Sequence, residues 1–119
     1  PGAARARLLV GRSTHDDTEV ARACDEPVDY VAFGPIFGTT SKSIAHPARG
    51  LPTLRRVVER VAPRPVVAIG GIDAARVAAV REAGAHGIAV IGAVAGAADP
   101  AEATRALVQA LDAAGAGRT

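Results

Sequence analysis

Four short apolar segments alternate with four helical patterns along this chain, and this alternation is the feature that most restricts its fold. The apolar segments cover residues 8–11, 29–36, 65–69 and 87–91. None of them alternates strictly between apolar and polar residues, which is typical of parallel strands buried on both faces. The helical patterns begin near Asp16 or Asp17, Leu51, Asp73 and Asp99. The sequence therefore predicts four βα units and a parallel sheet.

The predicted helices carry recognisable boundary residues. Asp16 or Asp17, Asp73 and Asp99 stand where a side chain can cap a helix N-terminus. The first helix is expected to stop before Pro27, and the second, from Leu51 to Val61, before Pro63. Gly84 is a natural glycine just past a helix end. The last helix is expected to run from Pro100 through Leu111, with the residues beyond it frayed.

The βα order is typical of a TIM barrel or a doubly wound sheet, in which polar loops follow the carboxyl ends of the strands. A full barrel needs eight βα units and about 200 residues or more. This chain has 119 residues. We therefore predict half a barrel in a single partial domain that covers residues 1–119.

Composition excludes several classes of function. The formal net charge is only +2, the arginines are scattered and aromatics make up 3%, which argues against nucleic-acid binding. Cys24 is the only cysteine, so no internal disulfide can form and a reducing, cytoplasmic location is expected. No apolar segment reaches the roughly 18 to 20 residues of a membrane helix. No secretory signal is expected from the opening residues.

The loop after the second apolar segment is the first candidate site. It presents three hydroxyls, from Thr39, Thr40 and Ser41, followed by Lys42, which is the only lysine of the chain. Hydroxyls donate hydrogen bonds to phosphate oxygens, and an ammonium group neutralises their charge. These residue types suit a phosphate or pyrophosphate, although they are also ordinary in a solvated surface loop.

Glycines at the ends of two later segments extend this hypothesis. Gly70-Gly71 and Ile91-Gly92 would let a ligand approach backbone N–H groups closely, although a lone glycine is at least as often needed only for a tight turn. Ser13 is expected to follow the first strand and to face the same rim. His15 is best interpreted as an exposed helix-start residue. No histidine, cysteine and carboxylate cluster has the spacing of metal ligands.

Taken together, the motifs resemble those of one enzyme family. They are Gly11-Arg12-Ser13-Thr14-His15, Asp29-Tyr30-Val31 with Gly34-Pro35-Ile36-Phe37, Thr39-Thr40-Ser41-Lys42, Val67-Ala68-Ile69-Gly70-Gly71-Ile72 and Gly87-Ile88-Ala89-Val90-Ile91. In this order they resemble the C-terminal half of thiamine phosphate synthase, a (β/α)8 barrel. The resemblance extends from about Leu8 to about Leu111 and implies that the four units are the last four of the barrel, β5–β8.

The resemblance implies a transferase of thiamine biosynthesis. Such enzymes couple hydroxymethylpyrimidine pyrophosphate with thiazole phosphate, with magnesium assisting the departure of pyrophosphate. By position, Ser13 and Lys42 resemble the pyrophosphate-side ligands. The residues of this chain that resemble the family's thiazole phosphate contacts are Thr39, Thr40 and Ser41, the Gly70-Gly71 turn and the Ile91-Gly92 backbone.

Two departures from the family pattern qualify this expectation. Gly92 stands where the family usually has serine, so one hydroxyl contact is missing. The magnesium-binding aspartates and the pyrimidine-site residues belong to the first four strands, and none of them is in this sequence. The chain alone is therefore expected to be inactive, with a homo-oligomer or a complementary N-terminal half as its partner.

Two alternatives remain open. A thiazole tautomerase shares this fold, and the stretch Pro47-Ala48-Arg49-Gly50 is similar to that group. Such tautomerases typically carry a histidine where this chain has Pro35, which favours the synthase. The second alternative is a noncatalytic half-barrel that only binds phosphate.

Overall fold

A computed structural model describes residues 9–38 and 48–116, with side chains described as far as Ala114. Four strands alternate with helices along this part of the chain. The strands are β1 (Gly11–Thr14), β2 (Tyr30–Phe33), β3 (Val66–Ile69) and β4 (Gly87–Ala89). The helices are α1 (Asp17–Cys24), α2 (Leu51–Val61), α3 (Val77–Glu82), α4 (Gly92–Ala95) and α5 (Pro100–Ala116), and a 3-10 turn at Ala74–Arg76 precedes α3.

The four strands form one parallel sheet in the order β1-β2-β3-β4. Thr14 pairs with Phe33, Phe33 with Ala68, and Ile69 with Ala89, so the strand ends are aligned. Each strand pairs with the next one along the chain, as right-handed βα crossovers allow. The predicted α/β class and the parallel sheet are confirmed.

The position predicted for the first strand is wrong. The apolar run at 8–11 was expected to be the strand, but β1 covers Gly11–Thr14, which was expected to be the exit loop. Leu9 is 82% exposed, so apolar character alone did not mark the pairing segment. Backbone pairing with β2 selects Gly11–Thr14 instead, and the buried Thr14 hydroxyl donates a 2.8 Å hydrogen bond to the carbonyl oxygen of Ala32.

The other strands are shorter than their apolar runs. The run at 29–36 contains a strand only at Tyr30–Phe33, and the run at 87–91 only at Gly87–Ala89. Beyond β2 the chain stays buried at Ile36 without pairing as a strand. Burial therefore extends past the end of the β ladder.

The predicted helix boundaries are largely confirmed. Asp16 caps α1 by accepting a 2.8 Å hydrogen bond from the Glu19 N–H group. Asp73 caps the 3-10 turn and Asp99 caps α5 in the same way. Gly84 follows α3 with a φ of 109°, the left-handed conformation expected after a helix end. The last helix, however, continues to Ala116 rather than ending near residue 111.

The hydrophobic core lies between the sheet and its helices. Val31 and Phe33 of β2 share a face with Val66 and Ala68 of β3, and all four side chains are buried. The amphipathic helix α2 covers this face with its buried residues Leu54, Val57 and Val61. Helix α5 packs against α3 and α4, and its Leu107 is buried.

One arginine ties the end of α1 to the start of β3. The Arg64 guanidinium donates to the carbonyl oxygens of Ala23 and Cys24 at 3.2 Å each and to that of Glu26 at 3.0 Å. These carbonyls lie at and just beyond the end of the helix, where few intrahelical donors remain, so the guanidinium adds to the turn hydrogen bonds that Ala23 and Glu26 already accept. Cys24 packs against the core as predicted.

Among residues 9–38 and 48–116, no helix is long and apolar enough to cross a membrane.

Candidate functional site

The loops that follow the four strands meet at one edge of the sheet. Because neighbouring strands are parallel and their last residues are paired, the segments after Thr14, Phe33, Ile69 and Ala89 leave from the same edge. Ligands in parallel α/β folds bind at this carboxyl edge. The residues predicted to bind phosphate all belong to these segments or to the ends of the strands.

The segments after β2 and β3 are interlocked at their glycines. A Cβ on Gly34 would lie 2.2 Å from the carbonyl oxygen of Ile69, and a Cβ on Gly70 would lie 2.5 Å from the Cα of Pro35. Gly70 and Gly71 also have φ values of 105° and 66°, in the left-handed region that favours glycine. These glycines therefore allow two backbones to approach more closely than any side chain would permit.

Backbone hydrogen bonds hold the same two segments together. The Ile36 N–H donates to the carbonyl oxygen of Ile69 at 2.8 Å, and the Phe37 N–H donates to that of Gly70 at 3.1 Å. These bonds continue the contact between neighbouring segments beyond the end of the β2–β3 ladder. The course of the chain is thereby fixed up to Gly38, the residue before the loop of hydroxyls.

The two ends of that loop are also fixed to each other. The Arg49 N–H donates to the carbonyl oxygen of Pro35 at 2.8 Å, and the Gly50 N–H donates to that of Ile36 at 2.9 Å. The loop therefore leaves and returns at the same point of the sheet edge. The predicted site residues Thr39, Thr40, Ser41 and Lys42 lie outside the described residues.

A guanidinium group spans the interlocked loops. The Nη1 group of Arg76 donates a 2.7 Å hydrogen bond to the carbonyl oxygen of Gly71. Its Cζ lies 4.5 Å from the centre of the Phe37 ring, within the range of a cation–π contact. Sequence reasoning assigned no site role to Arg76, nor to Phe37, which it quoted only as part of a family motif. A signal was available in the sequence: an aromatic residue and an arginine follow two strands that are predicted to be neighbours, which indicates a candidate cation–π contact.

Ile91 and Gly92 lie beyond the end of β4. Ile91 is 81% exposed, and Gly92 begins the short helix α4, which was not predicted. A Cβ at Gly92 would meet no atom of the described residues within 4 Å. Among the described residues, the Gly92 position therefore has room for a larger side chain.

Ser13 lies within β1 rather than after it. Its neighbour Thr14 is buried, whereas Ser13 is exposed on the opposite face of the strand, paired in register with Ala32. The expectation that Ser13 belongs to an exit loop is wrong because the strand extends to Thr14. Ser13 remains one residue from the carboxyl edge.

His15 takes part in the start of α1. The Glu19 carboxylate accepts a hydrogen bond from the His15 backbone N–H at 2.7 Å and pairs with its Nδ1 at 2.9 Å. The hydrogen bond with the His15 side chain, and then that with its backbone, lower the pKa of Glu19. This arrangement resembles a capping box and agrees with the structural role predicted for His15.

No magnesium site is offered by residues 9–38 and 48–116, which contain no group of three histidine, cysteine or carboxylate side chains close enough to hold a metal. Asp73, the carboxylate next to the Gly70-Gly71 turn, caps the following 3-10 turn. Among the described residues, this edge thus carries glycine turns and the Arg76 guanidinium rather than a cluster of carboxylates, a charge that suits an anion better than a cation.

A parallel βα sheet with its glycine turns at one carboxyl edge defines an α/β protein of the kind found in TIM-barrel-like enzymes. The solved structure of thiamine phosphate pyrophosphorylase from Pyrococcus furiosus is similar to this chain, with a TM-score of 0.78 and 35% sequence identity over 94% of this chain and 52% of that one. The sequence model of the thiamine monophosphate synthase family matches residues 3–94, and the chain belongs to that family.

Curated relatives agree with this membership. The chain is 53% identical to a thiamine-phosphate synthase of Anaeromyxobacter dehalogenans, over 91% of this chain and 48% of the relative. It is 47% identical to a thiamine-phosphate synthase of Mycobacterium sp. (strain KMS), over 87% of this chain and 45% of the relative. The chain thus spans about half the length of these relatives.

Proposed function

We propose that this chain provides the last four βα units, β5–β8, of a thiamine phosphate synthase barrel. The complete protein would couple hydroxymethylpyrimidine pyrophosphate with thiazole phosphate to form thiamine phosphate and pyrophosphate. The observation that carries the proposal is the interlocking of Gly34, Gly70 and Gly71. It brings the Gly70-Gly71 turn against the segment that leads into Thr39–Lys42. Family membership and the similarity to synthases of twice this length support it.

The thiazole phosphate would be bound by backbone and hydroxyl donors. Thr39, Thr40 and Ser41 would donate from the loop after β2, and Gly71 would donate from the loop after β3. The exposed Ile91-Gly92 backbone would complete the set, with Gly70 shaping the turn. Backbone N–H groups bind an anion without a large cost of ordering because the fold already holds them in place.

Pyrophosphate departure would be assisted by Lys42 and Ser13. A leaving group that carries several negative charges is stabilised by an ammonium and a hydroxyl aimed at it. Cleavage of the carbon–oxygen bond to pyrophosphate would leave a cationic pyrimidine methylene carbon, which the thiazole nitrogen would then capture to form the new carbon–nitrogen bond. The chain would thus contribute one substrate site and part of the other.

Magnesium is proposed as the cofactor of the complete barrel, because the family resemblance implies it. Its ligands would belong to the first four βα units, and the donor set of the described residues does not fit a divalent cation. For this reason no step of the reaction is assigned to the metal on this chain.

The partner would be whatever completes the barrel. Strands β1 and β4 lie at the two edges of the described sheet. An unpaired strand edge exposes backbone groups that readily pair with another strand. A complementary N-terminal half or a second copy of the chain would cover both edges. The single free cysteine, Cys24, is consistent with the proposed cytoplasmic location.

Measurement of pyrophosphate release would test this proposal. The chain alone is expected to release no pyrophosphate from the two substrates. The same chain joined to the first four βα units of the Anaeromyxobacter relative is expected to do so. In the joined protein, Lys42→Ala should lower turnover about a hundredfold or more, whereas Lys42→Arg should retain part of it because it keeps the charge. Full activity of the isolated chain, or of Lys42→Ala, would refute the corresponding part of the proposal.

A further inference from the structure

Arg76 is held in place by its own backbone. It is the last residue of the 3-10 turn that follows β3. Its N–H donates to the Asp73 carboxylate at 3.1 Å and to the Asp73 carbonyl oxygen at 3.0 Å. The start of the Arg76 side chain is therefore fixed relative to the Gly70-Gly71 turn, only a few residues upstream.

The Arg76 side chain reaches both loops of the site edge. Its hydrogen bond to the carbonyl oxygen of Gly71 restrains the Gly71–Ile72 peptide plane. Its position over the Phe37 ring restrains the segment after β2. Phe37 comes two residues before Thr39, the first hydroxyl of the candidate phosphate loop. One guanidinium thus connects the two loops on which the proposed phosphate donors lie.

The surroundings of Gly71 make this connection sensitive to small movements. A Cβ on Gly71 would lie 2.7 Å from the carbonyl oxygen of Gly38 and 2.9 Å from the Cβ of Phe37. The two backbones are therefore in direct contact, and rotation of the Gly71 peptide would change the spacing between them. The proposed phosphate donors lie on these two backbones, so the spacing between the backbones sets the distances between the donors. Those distances determine how tightly a preformed site binds an anion.

We infer that Arg76 is a positioning residue for the thiazole phosphate site, which it shapes by tying the Gly71 peptide to Phe37. This inference rests on the proposed function. Arg76 acts through the backbone of Gly71 and the ring of Phe37, and the inference requires no contact between Arg76 and the substrate. Its removal should weaken thiazole phosphate binding while leaving the fold intact, because its side chain is exposed.

Titration of thiazole phosphate into the 119-residue chain tests the inference. Loss of one hydrogen bond and one exposed cation–π contact shifts the equilibrium between the arranged and the displaced Gly71 loop by about tenfold, and binding weakens as the arranged form is depopulated. We therefore expect Arg76→Ala to raise the dissociation constant about tenfold. Arg76→Lys keeps a charge over the ring and should recover part of the loss. The control is Arg105→Ala, which removes an exposed arginine that pairs with Glu102 on the same helix and should leave binding unchanged.

Amide hydrogen exchange supplies a readout that needs no ligand. In Arg76→Ala the Ile36 and Phe37 amides, which donate to Ile69 at the end of β3 and to Gly70 just after it, should exchange faster at unchanged global stability. In Arg105→Ala they should not. If the wild type and Arg76→Ala bind thiazole phosphate equally well, the inference about Arg76 is overturned and the proposed function is not. Absence of binding in the wild type would refute the proposed thiazole phosphate site. The exchange rates would then decide the role of Arg76. Faster exchange of the Ile36 and Phe37 amides in Arg76→Ala would support the role, and unchanged exchange would overturn it.

Discussion

A Cβ placed on Gly34 would lie 2.2 Å from the carbonyl oxygen of Ile69. Gly34 directly follows β2 and Ile69 ends β3, so this contact lies where the two strands reach the site edge. The same carbonyl accepts the N–H of Ile36, two residues further along. The close approach of Gly34 therefore determines where the segment leading to the candidate phosphate loop leaves the sheet.

Gly34→Ala should destabilise the protein by about 1 to 3 kcal/mol, the usual range of overpacking in a well-packed site. The clash is with backbone, which cannot move aside as a flexible side chain can. Urea denaturation followed by circular dichroism measures the change. Gly87→Ala, in β4, is the matched control, because its Cβ would meet only Val67 at an ordinary 3.9 Å. Equal stability of the two variants would contradict the close-contact argument.

Gly92→Ser should strengthen thiazole phosphate binding about fivefold to tenfold. No atom in the described part of the chain lies within 4 Å of where a Cβ would be, so a serine side chain fits there without displacing those neighbours. A hydroxyl that donates to a phosphate adds a hydrogen bond to a charged group, worth about 1.5 kcal/mol at the lower end of the usual range, from which ordering the serine side chain subtracts about 0.5 kcal/mol. Calorimetric titration would measure the gain. Gly92→Ala, which adds the β-carbon without the hydroxyl, should show no gain, and equal binding by both variants would exclude a phosphate contact at residue 92.

Acidification should weaken the fold through two carboxylates. A hydrogen bond from Arg12, with Nε–Oε1 at 2.7 Å, lowers the pKa of Glu26 below its ordinary value of 4.5, and the hydrogen bond from His15 lowers that of Glu19. A lowered folded-state pKa contributes stability that is fully present above the unfolded-state value, about pH 4.5, and is lost as the pH falls through the folded-state value. Both pairs are exposed, so the loss should be modest and should shrink in high salt.

Urea denaturation at a series of pH values on both sides of about 4.5 would measure this loss. Glu26→Gln should be less stable than the wild type at the higher pH values and should lose less stability at the lower ones. Glu59→Gln, at an exposed position of α2, should keep the wild-type decline. If Glu26→Gln declined as steeply as the wild type, the Arg12–Glu26 pair would not contribute to acid sensitivity.

Much of the fold could be predicted because its signals are local. Aspartates that can cap a helix, such as Asp16 and Asp73, and a glycine past a helix end, such as Gly84, act within a few residues. The position of β1 was not predictable in this way. Its pairing with β2 depends on distant residues, and Gly11–Thr14 pairs although the more apolar run precedes it.

The candidate site likewise contains residues with a local sequence signal and residues that only distant packing brings together. The glycines after β3 and β4 were predicted from sequence, and the positive φ values of Gly70 and Gly71 explain why glycine is needed there. The role of Arg76 was missed because its partners Gly71 and Phe37 belong to two different loops. No local pattern reveals that these loops come into contact, since only the packing of β2 beside β3 brings them together.

The central claim is that this chain carries the thiazole phosphate half of a two-substrate site. Calorimetric titration of the 119-residue chain with thiazole phosphate, and separately with hydroxymethylpyrimidine pyrophosphate, tests it most directly. We expect one thiazole phosphate per chain with a dissociation constant below about 1 mM, and much weaker binding of the pyrimidine substrate. Failure to bind thiazole phosphate, or equal binding of both substrates, would contradict the claim.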